Sequence, residues 1–193
     1  MIRELSIAIR STFVFLLLTA IIYPLLILAV GFVFPSQANG SLITNSQGQI
    51  VGSALIGQSF TSDRYFWSRP STTEYSTGKD AAPTGVSGAS NLAPSNPDLI
   101  QRIQEETTRL KQAGIEPTAD LVYTSGSSLD PHITLQAAQA QIARVAQARA
   151  IAANKIKIAL AQNTEGRFLG IFGEPGVNVL KLNLALDALK PES

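Results

Sequence analysis

Most of the side chains that could perform catalysis lie in one short polar stretch, residues 125–132. A serine hydrolase would use His132, the single histidine of the chain, as the general base for Ser127 or Ser128. Asp130 is only two residues from His132, a spacing that favours a rigid turn whose side chains bond the backbone ahead of a helix. The sequence also has no G-x-S-x-G nucleophile elbow, so a serine hydrolase is only the alternative hypothesis.

The composition argues against several other kinds of chemistry. The chain has no cysteine, which excludes disulfides, thiolate metal ligands and thiol nucleophiles. A single histidine without clustered carboxylates predicts no metal site. No phosphate-binding loop of the form G-x-x-x-x-G-K-S/T is present, so we expect no cofactor bound by this chain itself. A net charge of +1 gives no electrostatic reason to expect a nucleic-acid partner.

Residues 11–34 contain no charged side chain and are almost wholly apolar. At a rise of about 1.5 Å per residue, they can cross the ~30 Å hydrocarbon core of a bilayer once. We predict a retained transmembrane helix; a cleaved signal peptide is the alternative, although its apolar region is usually about 7–15 residues long. Proline is tolerated in spanning helices, and Tyr23 and Pro24 together predict a kink that packs against another membrane helix.

Basic residues precede this apolar run but do not closely follow it. Arg3 and Arg10 come before it, and the next basic residue is Arg64. The positive-inside rule therefore places residues 1–10 in the cytoplasm and residues 35–193 outside, in a periplasmic or extracellular space. The outer segment is long enough for one compact domain with its own core.

The densest aromatic cluster of the outer segment is formed by Tyr65, Phe66 and Trp67, and Arg69 follows closely. Large aromatic side chains bury much apolar area, so we expect this cluster in a core or at an interface. Binding of a ligand by an extracytoplasmic domain is the alternative hypothesis for the same residues.

Strand and helix patterns alternate along residues 35–193, which indicates one mixed α/β soluble domain after a single N-terminal transmembrane helix. The predicted elements are two strands around a turn at 45–48, a helix that Asn96 caps and Gly114 ends, a strand at 120–124, helical structure over 134–162 and a strand that begins at 177. The polar segment 71–97 is predicted to be a functional or mobile loop.

The helical region 134–162 leaves two questions open. Its apolar stripe permits one long helix, but Arg149 interrupts the stripe and also allows a break between 149 and 153. The region carries Arg144, Arg149, Lys155 and Lys157 without an acidic residue. We expect these side chains on a solvated polar face, with contact to lipid or to an acidic partner as the alternative.

Several strings spread over most of the chain resemble those of one protein family. They include Tyr-Phe-Trp-Ser-Arg-Pro-Ser at 65–71 and Gly-Glu-Pro-Gly-Val-Asn-Val-Leu at 173–180, with further matches at 52–60, 87–92, 120–122, 125–133, 144–149 and 182–187. In this order after one apolar run, they resemble the KdpC family, the small subunit of the bacterial potassium-transporting P-type ATPase. Ser128 and Ala89 stand where that family usually has glycine, and Gly176 where a basic residue is common. The family usually begins a helix just after Arg149, so the resemblance favours a broken helix.

The resemblance implies a non-catalytic accessory subunit of a high-affinity, ATP-driven potassium uptake complex in the bacterial plasma (inner) membrane. Its partners would be a channel-like potassium-translocating subunit, a P-type catalytic subunit that hydrolyses ATP, and membrane lipid. The helix would pack against the channel-like subunit, and the outer domain would cover the extracellular potassium entrance. An outer domain lies opposite the nucleotide, so ATP and potassium would be handled by the complex rather than bound here.

The sequence reading also gives a set of candidate interface and functional-loop residues. They are Tyr23, Pro24, Tyr65, Phe66, Trp67, Arg69, Ser125, Ser127, Asp130 and His132.

Overall fold

The computed structural model describes residues 1–76 and 86–189, so residues 77–85 of the predicted loop lie outside the described part. The chain divides into two compact units, Met1–Leu42 and Ile43–Ser193, and the second is called the folded domain below. The first unit is helical, and the folded domain combines helices with small sheets. One long apolar helix followed by a mixed α/β region confirms the predicted fold class.

The first unit is built on a continuous helical segment, Ile2–Val33, which is long and apolar enough to span a membrane. It comprises α1 (Ile2–Leu16), a π-helical segment (Leu17–Ile22) and α2 (Tyr23–Val33), and a short helix α3 (Pro35–Ala38) follows. The segment is 32 residues long, about 48 Å at ~1.5 Å per residue, which exceeds the ~30 Å apolar core of a bilayer. The helix therefore begins before the predicted transmembrane segment 11–34, whose own limits stay a prediction.

The π-helical segment lies directly before Pro24. The N–H of Tyr23 donates to the carbonyl of Leu18, five residues earlier, instead of the usual four. Proline has no N–H and its ring crowds the preceding turn, so a wider turn relieves both problems. The irregular winding lies just before Tyr23 and Pro24, and the kink packed against another membrane helix stays a prediction.

The folded domain begins with the predicted pair of strands, β1 (Leu42–Thr44) and β2 (Ile50–Ser53). The turn between them is organised by Asn45, whose side-chain carbonyl accepts from the N–H groups of Gln47 and Gln49 at 3.0 and 2.9 Å. The second strand ends earlier than its apolar pattern suggests. A 3₁₀ turn, Glu74–Ser76, follows later in the chain.

Helix α4 (Pro97–Gln112) has the termini that the sequence predicts. The side chain of Asn96 accepts from the N–H of Asp98 at 2.8 Å, and Gly114 adopts a left-handed φ of +69° just after the last turn. The predicted strand at 120–124 is wrong, because the chain forms α5 (Ala119–Val122) there. A helical turn lets both Leu121 and Val122 enter the core, which alternating strand positions would not allow.

The helical region 134–162 is broken, as one of the two open readings predicts. Helix α6 (Leu135–Arg149) is capped by the hydroxyl of Thr134, which accepts from Ala137 at 3.0 Å. Ala150 adopts a left-handed φ of 53°, and α7 (Ala153–Gln162) begins three residues later. This left-handed residue ends one helix and redirects the next.

A three-stranded antiparallel sheet joins the end of the chain to the residue-132 region. Its strands are β3 (His132–Ile133), β4 (Thr164–Glu165) and β5 (Gly176–Asn178), in the order β3-β5-β4. The predicted terminal strand therefore ends at Asn178, whose side chain accepts from the N–H of Lys181 at 3.1 Å and caps α8 (Val179–Asp187). The continuation as a strand is wrong, because this cap starts a helix that buries Leu182 and Leu186.

The core of the folded domain lies where α6, α7 and α8 meet β5 and the aromatic segment at residues 65–67. Its largest fully buried apolar side chains are Phe66, Leu110, Ile115, Leu121, Ile156, Leu182 and Leu186. Burying an aliphatic or aromatic side chain contributes roughly 1.5–3 kcal/mol each. This core fixes the helices on which the polar contacts below depend.

Candidate functional site

The aromatic segment is held by two buried amide side chains instead of a neighbouring strand. Gln141 on α6 accepts from the N–H of Trp67 at 2.8 Å and donates to its carbonyl at 3.2 Å. Asn183 on α8 does the same for Phe66, at 2.8 and 3.0 Å. Phe66 is fully buried and Trp67 nearly so. The backbone of this segment is thus fixed by residues 74 and 117 positions away.

Guanidinium groups cover the exposed sides of the same aromatic rings. The Cζ atoms of Arg144 and Arg109 lie 4.0 and 4.4 Å from the centre of the Trp67 ring. Arg149 lies 4.8 Å from the centre of the Tyr65 ring. At these distances each cation is attracted to the negative face of the ring, an interaction of about 0.5–2 kcal/mol.

Arg144 and Arg149 are anchors of the domain rather than parts of a solvated face. Arg149 has a side chain that is only 3% exposed, and it donates to the carbonyl of Leu186 at 3.0 Å and to Asp187 at 2.8 Å. Arg144 donates to the carbonyl of Tyr65 at 2.9 Å, and burial lowers its pKa to about 10. For these two residues the expectation of a solvated polar face or a lipid contact is wrong, because their guanidinium groups are hydrogen-bonded to residues distant in sequence.

The serine loop, residues 125–132, uses its hydroxyl groups to hold its own shape. Ser128 is buried with a φ of 58°, and its hydroxyl accepts from the N–H of Thr72 at 3.0 Å. The hydroxyl of Ser127 accepts from the N–H of Leu129 at 3.2 Å, while Ser125 is buried and accepts the N–H of Ser128 through its carbonyl. These are structural contacts, and in the described ranges no hydrogen bond joins either candidate nucleophile to His132.

The serine loop is also tied to the segment on either side of residues 77–85. The carbonyl of Ser128 accepts from the hydroxyl of Ser71 at 2.8 Å. The carbonyl of Ser127 accepts from the N–H of Gly88 at 3.0 Å and from the hydroxyl of Ser87 at 3.1 Å. The described residues on both sides of 77–85 therefore contact the serine loop directly.

Gly57 packs against the serine loop without room for a side chain. Its N–H donates to the carbonyl of Leu129 at 2.8 Å. A Cβ at this position would lie 2.4 Å from Cε1 of Tyr75 and 2.7 Å from the carbonyl oxygen of Asp130. Burial raises the pKa of Tyr75 to about 12, and its hydroxyl donates to the carbonyl of Arg69.

A chain of alternating charges runs through the three-stranded sheet and out to the aromatic segment. Arg69 donates to Asp130 at 2.9 Å, and the second carboxylate oxygen of Asp130 accepts from the N–H of His132 at 2.9 Å. Nε2 of His132 lies 3.2 Å from Glu165, which also accepts from Lys181 at 2.7 Å. The expected turn around Asp130 is therefore present, and the imidazole lies beside carboxylates instead of a nucleophile.

The charges in this chain shift one another's proton affinities. Nearby Asp130 raises the pKa of His132, burial opposes that shift, and Glu165 adds to it. Burial would raise the pKa of Asp130, but hydrogen bonds from His132 and the charge of Arg69 outweigh it, so the net shift is downward. The hydrogen bond from Lys181 is the largest influence that lowers the pKa of Glu165.

The imidazole ring lies over Gly176 on the central strand of the sheet. Gly176, in β5, is opposite Glu165, while His132 is on the neighbouring strand. A Cβ at residue 176 would lie 3.5 Å from the His132 ring, an ordinary van der Waals contact. The ring therefore extends across the central strand to Glu165 on the far strand, 3.2 Å from Nε2.

The described residues contain no group of three or more histidine, cysteine, aspartate or glutamate side chains that could hold a metal ion. A cleft of about 630 Å³ lies beside the aromatic segment, with Trp67, Arg69, Tyr75 and Arg109 among its lining residues. Its walls carry hydroxyl and guanidinium groups, and the side chain of Arg69 is already committed to Asp130. The arrangement provides a rigid polar surface.

The first unit carries an apolar concavity. Tyr23 and Pro24 lie at one end of a shallow apolar concavity of about 790 Å³. Gly31 and Phe34 lie further along it. Tyr23 is exposed within the unit, as are the aliphatic side chains around it.

Sequence reasoning missed two features of the domain. The amide clamps at Gln141 and Asn183 have no local signature, since each bonds backbone groups far away in sequence. The buried role of Arg149 had a signal, because this arginine falls on the apolar stripe of α6 together with Ile142 and Val145. A charge on a core-facing stripe indicates a buried partner as readily as a helix break.

Comparison with known proteins places the chain in a family. Residues 5–188 match the family model described as "KdpC: K+-transporting ATPase, c chain". The chain is 64% identical over 188 residues to the potassium-transporting ATPase KdpC subunit of Synechocystis sp., covering 97% of this chain and 99% of that protein. It is also 64% identical to KdpC subunit 1 of Nostoc sp., covering 98% of each chain.

A more distant relative gives the same result. The KdpC subunit of Geobacter sulfurreducens is 47% identical over 193 residues, and the match covers 98% of this chain and all of that protein. A family match over nearly the whole length, with similarity that includes both the apolar helix and the folded domain, shows that the chain belongs to the KdpC family of potassium-transporting ATPase subunits.

Proposed function

We propose that this chain is a non-catalytic accessory subunit needed for the assembly and activity of an ATP-driven potassium uptake complex. In that complex a channel-like subunit would translocate potassium and a P-type subunit would hydrolyse ATP. The observation that carries the proposal is the use of the candidate catalytic groups: Ser127, Ser128 and His132 bond loop and turn partners rather than one another. A rigid polar domain without an activated nucleophile suits assembly better than hydrolysis.

The proposed topology places the N-terminus in the cytoplasm of a bacterial cell and the folded domain outside its plasma membrane. The absence of any lysine or arginine between residues 10 and 64 supports this orientation. The domain would then be separated from ATP by the bilayer. Any influence on ATP hydrolysis would be conformational coupling between distant sites.

The topology can be tested with single cysteines, because the natural chain has none. We expect a membrane-impermeant maleimide to label Gln112→Cys, on exposed α4, in intact spheroplasts. The matched variant Ile2→Cys, at the exposed start of α1, should react only after lysis. The reverse pattern would place the folded domain in the cytoplasm and return direct nucleotide contact as an option.

We propose further that the helix docks on the channel-like subunit through the concavity around Tyr23 and Pro24. The supporting observation is an apolar concavity whose lining includes the small residues Gly31 and Ala38. Small residues let membrane helices approach closely. Replacing residues 11–34 by an unrelated apolar span keeps the tether and removes this surface, so co-purification of a potassium-stimulated ATPase from mild detergent should be lost. Retained co-purification would place the main contact in the folded domain.

The serine loop is proposed to face the extracellular potassium entrance. Ser127 is exposed at this loop, and the loop is rigidly supported from beneath by Ser128. A cation added at Ser127→Lys should repel potassium within a Debye length of about 8 Å and raise the potassium concentration for half-maximal ATPase activity. The matched variant Gln112→Lys should leave that concentration unchanged. Equal behaviour of the two variants would remove the serine loop from the potassium pathway.

A further inference from the structure

A short hairpin between β4 and β5 has no apolar partner within the described domain. Phe168 and Phe172 pair across it, each donating its N–H to the other's carbonyl, at 2.8 and 2.9 Å. The turn at its tip is formed by Leu169 and Gly170. We call residues 167–173 the apolar hairpin.

The apolar hairpin exposes four large apolar side chains within five consecutive residues. Phe168 is 72% exposed, Leu169 73%, Ile171 71% and Phe172 61%. Scattered exposed apolar residues are ordinary on protein surfaces, but a contiguous group of this size marks a binding surface. Burial of these side chains away from water would therefore be the main favourable contribution to the binding free energy of this hairpin.

The backbone at the tip indicates that the Leu169 side chain has a use. Leu169 and Gly170 have φ values of 54° and 74°, both left-handed, within the three residues that the Phe168–Phe172 pair encloses. Asparagine or glycine adopts that conformation at lower cost than leucine. A strained, water-exposed leucine is retained where an easier residue would serve the turn, which favours a contact made by its side chain.

Two backbone N–H groups at the tip are hydrogen-bonded within the hairpin, and the side chains of the tip are apolar. The N–H of Gly170 donates to Arg167 at 3.0 Å and that of Ile171 to Phe168 at 3.2 Å. Backbone groups that enter lipid must be satisfied internally in this way. Residues 168–173 carry no polar side chain, whereas a protein interface usually surrounds its apolar centre with polar groups.

Charged groups occur only at the base of the hairpin. Arg167 donates to Glu174 at 3.1 and 3.2 Å, and both side chains are exposed. An apolar tip above a charged base matches the boundary between acyl chains and lipid headgroups.

A short connection joins the first unit to the folded domain. Nine residues separate α2, which ends at Val33, from Ile43 at the start of the folded domain. At ~3.3–3.6 Å per residue, this connection reaches about 30 Å at most. The inference rests on the proposed membrane span, since only a helix anchored in the bilayer would keep the folded domain close to the membrane.

We propose that the apolar hairpin inserts its tip into the bilayer surface on the side of the folded domain, as a second lipid contact besides the helix. Phe168, Leu169, Ile171 and Phe172 would enter the acyl boundary, and Arg167 and Glu174 would remain among the headgroups.

The test uses the full chain in lipid nanodiscs and one cysteine labelled with an environment-sensitive fluorophore. The label at Leu169→Cys should emit at shorter wavelength than in water and lose at least about half its intensity when shallow spin-labelled lipids are included. The same label at Gln112→Cys should respond to neither. A water-like, unquenched label at Leu169→Cys would overturn the proposal. So would a shift seen only with the other pump subunits and without lipid quenching, since that result would assign the hairpin to a protein partner.

A second variant separates insertion from an effect of the label. Phe168→Ser with Phe172→Ser, in the labelled Leu169→Cys chain, should return the label to a water-like, unquenched state. Quenching that survives both changes would overturn the proposal. Co-purification with the pump subunits is measured in the same preparation, so loss of lipid quenching and loss of the proposed subunit function are read separately.

Discussion

The amide clamp at Gln141 offers the sharpest test of how the domain is held together. Replacing Gln141 by alanine leaves the N–H and the carbonyl of Trp67 without partners inside the core, where Gln141 is fully buried and Trp67 is 7% exposed. Each unsatisfied buried backbone group costs about 1–3 kcal/mol, so Gln141→Ala should lower the free energy of unfolding by about 2–6 kcal/mol.

Two further variants assign that loss to hydrogen bonding. Gln136→Ala, on an exposed position of the same helix, should change stability by less than about 0.5 kcal/mol. Gln141→Met keeps the volume without the hydrogen bonds and should remain close to the alanine variant. Methionine fills the space that alanine leaves empty, so a near-normal Gln141→Met would assign the loss to a cavity instead.

Trp67 is the only tryptophan of the chain, and its backbone is the partner of Gln141. Its fluorescence therefore reports on the surroundings of this hydrogen-bonded pair. The measurement is urea unfolding of the full chain in detergent, with the midpoint taken from this fluorescence. If Gln141→Ala and Gln136→Ala unfold at the same urea concentration, the reasoning from unsatisfied backbone groups is refuted.

The remaining predictions concern the sheet and the serine loop. Because the folded pKa of His132 is raised above its unfolded value of about 6.5, its stabilisation is complete below that pH and is lost as the pH rises through the folded pKa. The urea midpoint should fall across pH 6–8, and His132→Gln should flatten this fall; an unchanged slope would contradict the coupling. Glu165 has a lowered pKa, so its stabilisation is present above about pH 4.3 and lost on further acidification, a loss that Glu165→Gln should remove. Gly57→Ala should cost about 1–3 kcal/mol because its Cβ would overlap Tyr75, whereas Gly126→Ala, with open space around it, should be nearly neutral; equal thermal midpoints would show that the contact at Gly57 relaxes freely.

Features set by neighbouring residues were predictable from the sequence. The start of α4 at Asn96 and its end near Gly114 could be predicted, because a side-chain cap and a left-handed glycine act within one turn of the helix. The long helical segment follows from composition, since its apolar run needs no tertiary partner to be recognised. The turn at Asp130 is likewise local, because its carboxylate bonds the N–H of His132 two residues later.

Features set by distant partners were not. The apolar residues Leu121 and Val122 predict a strand. Both side chains are buried in the core, and a helical turn places the two neighbours on the same side. Arg149 falls on the apolar stripe of α6, but the sequence does not identify its partners, such as the carbonyl of Leu186 37 residues away. Asn178 ends β5 and caps α8. The alternating apolar pattern around it predicts a strand that continues and does not indicate this change.

The apolar hairpin was predictable only in part. Its residues are visible in the sequence as an apolar run between Arg167 and Gly173. Only the structure shows that the run is turned outward, because the sheet it connects is completed by β4 and β5 without it.

The π-helical turn at Leu17–Ile22 accommodates one extra residue within the membrane helix. One residue corresponds to about 100° of rotation in a regular α-helix, and the wider turn absorbs that rotation locally. Deleting a single residue from this turn would therefore restore regular winding and leave Tyr23 on nearly the same side of the helix, with little change in length or hydrophobicity. Between homologous chains, a one-residue gap at this point would preserve the orientation of both halves of the helix and leave its capacity to cross a bilayer intact.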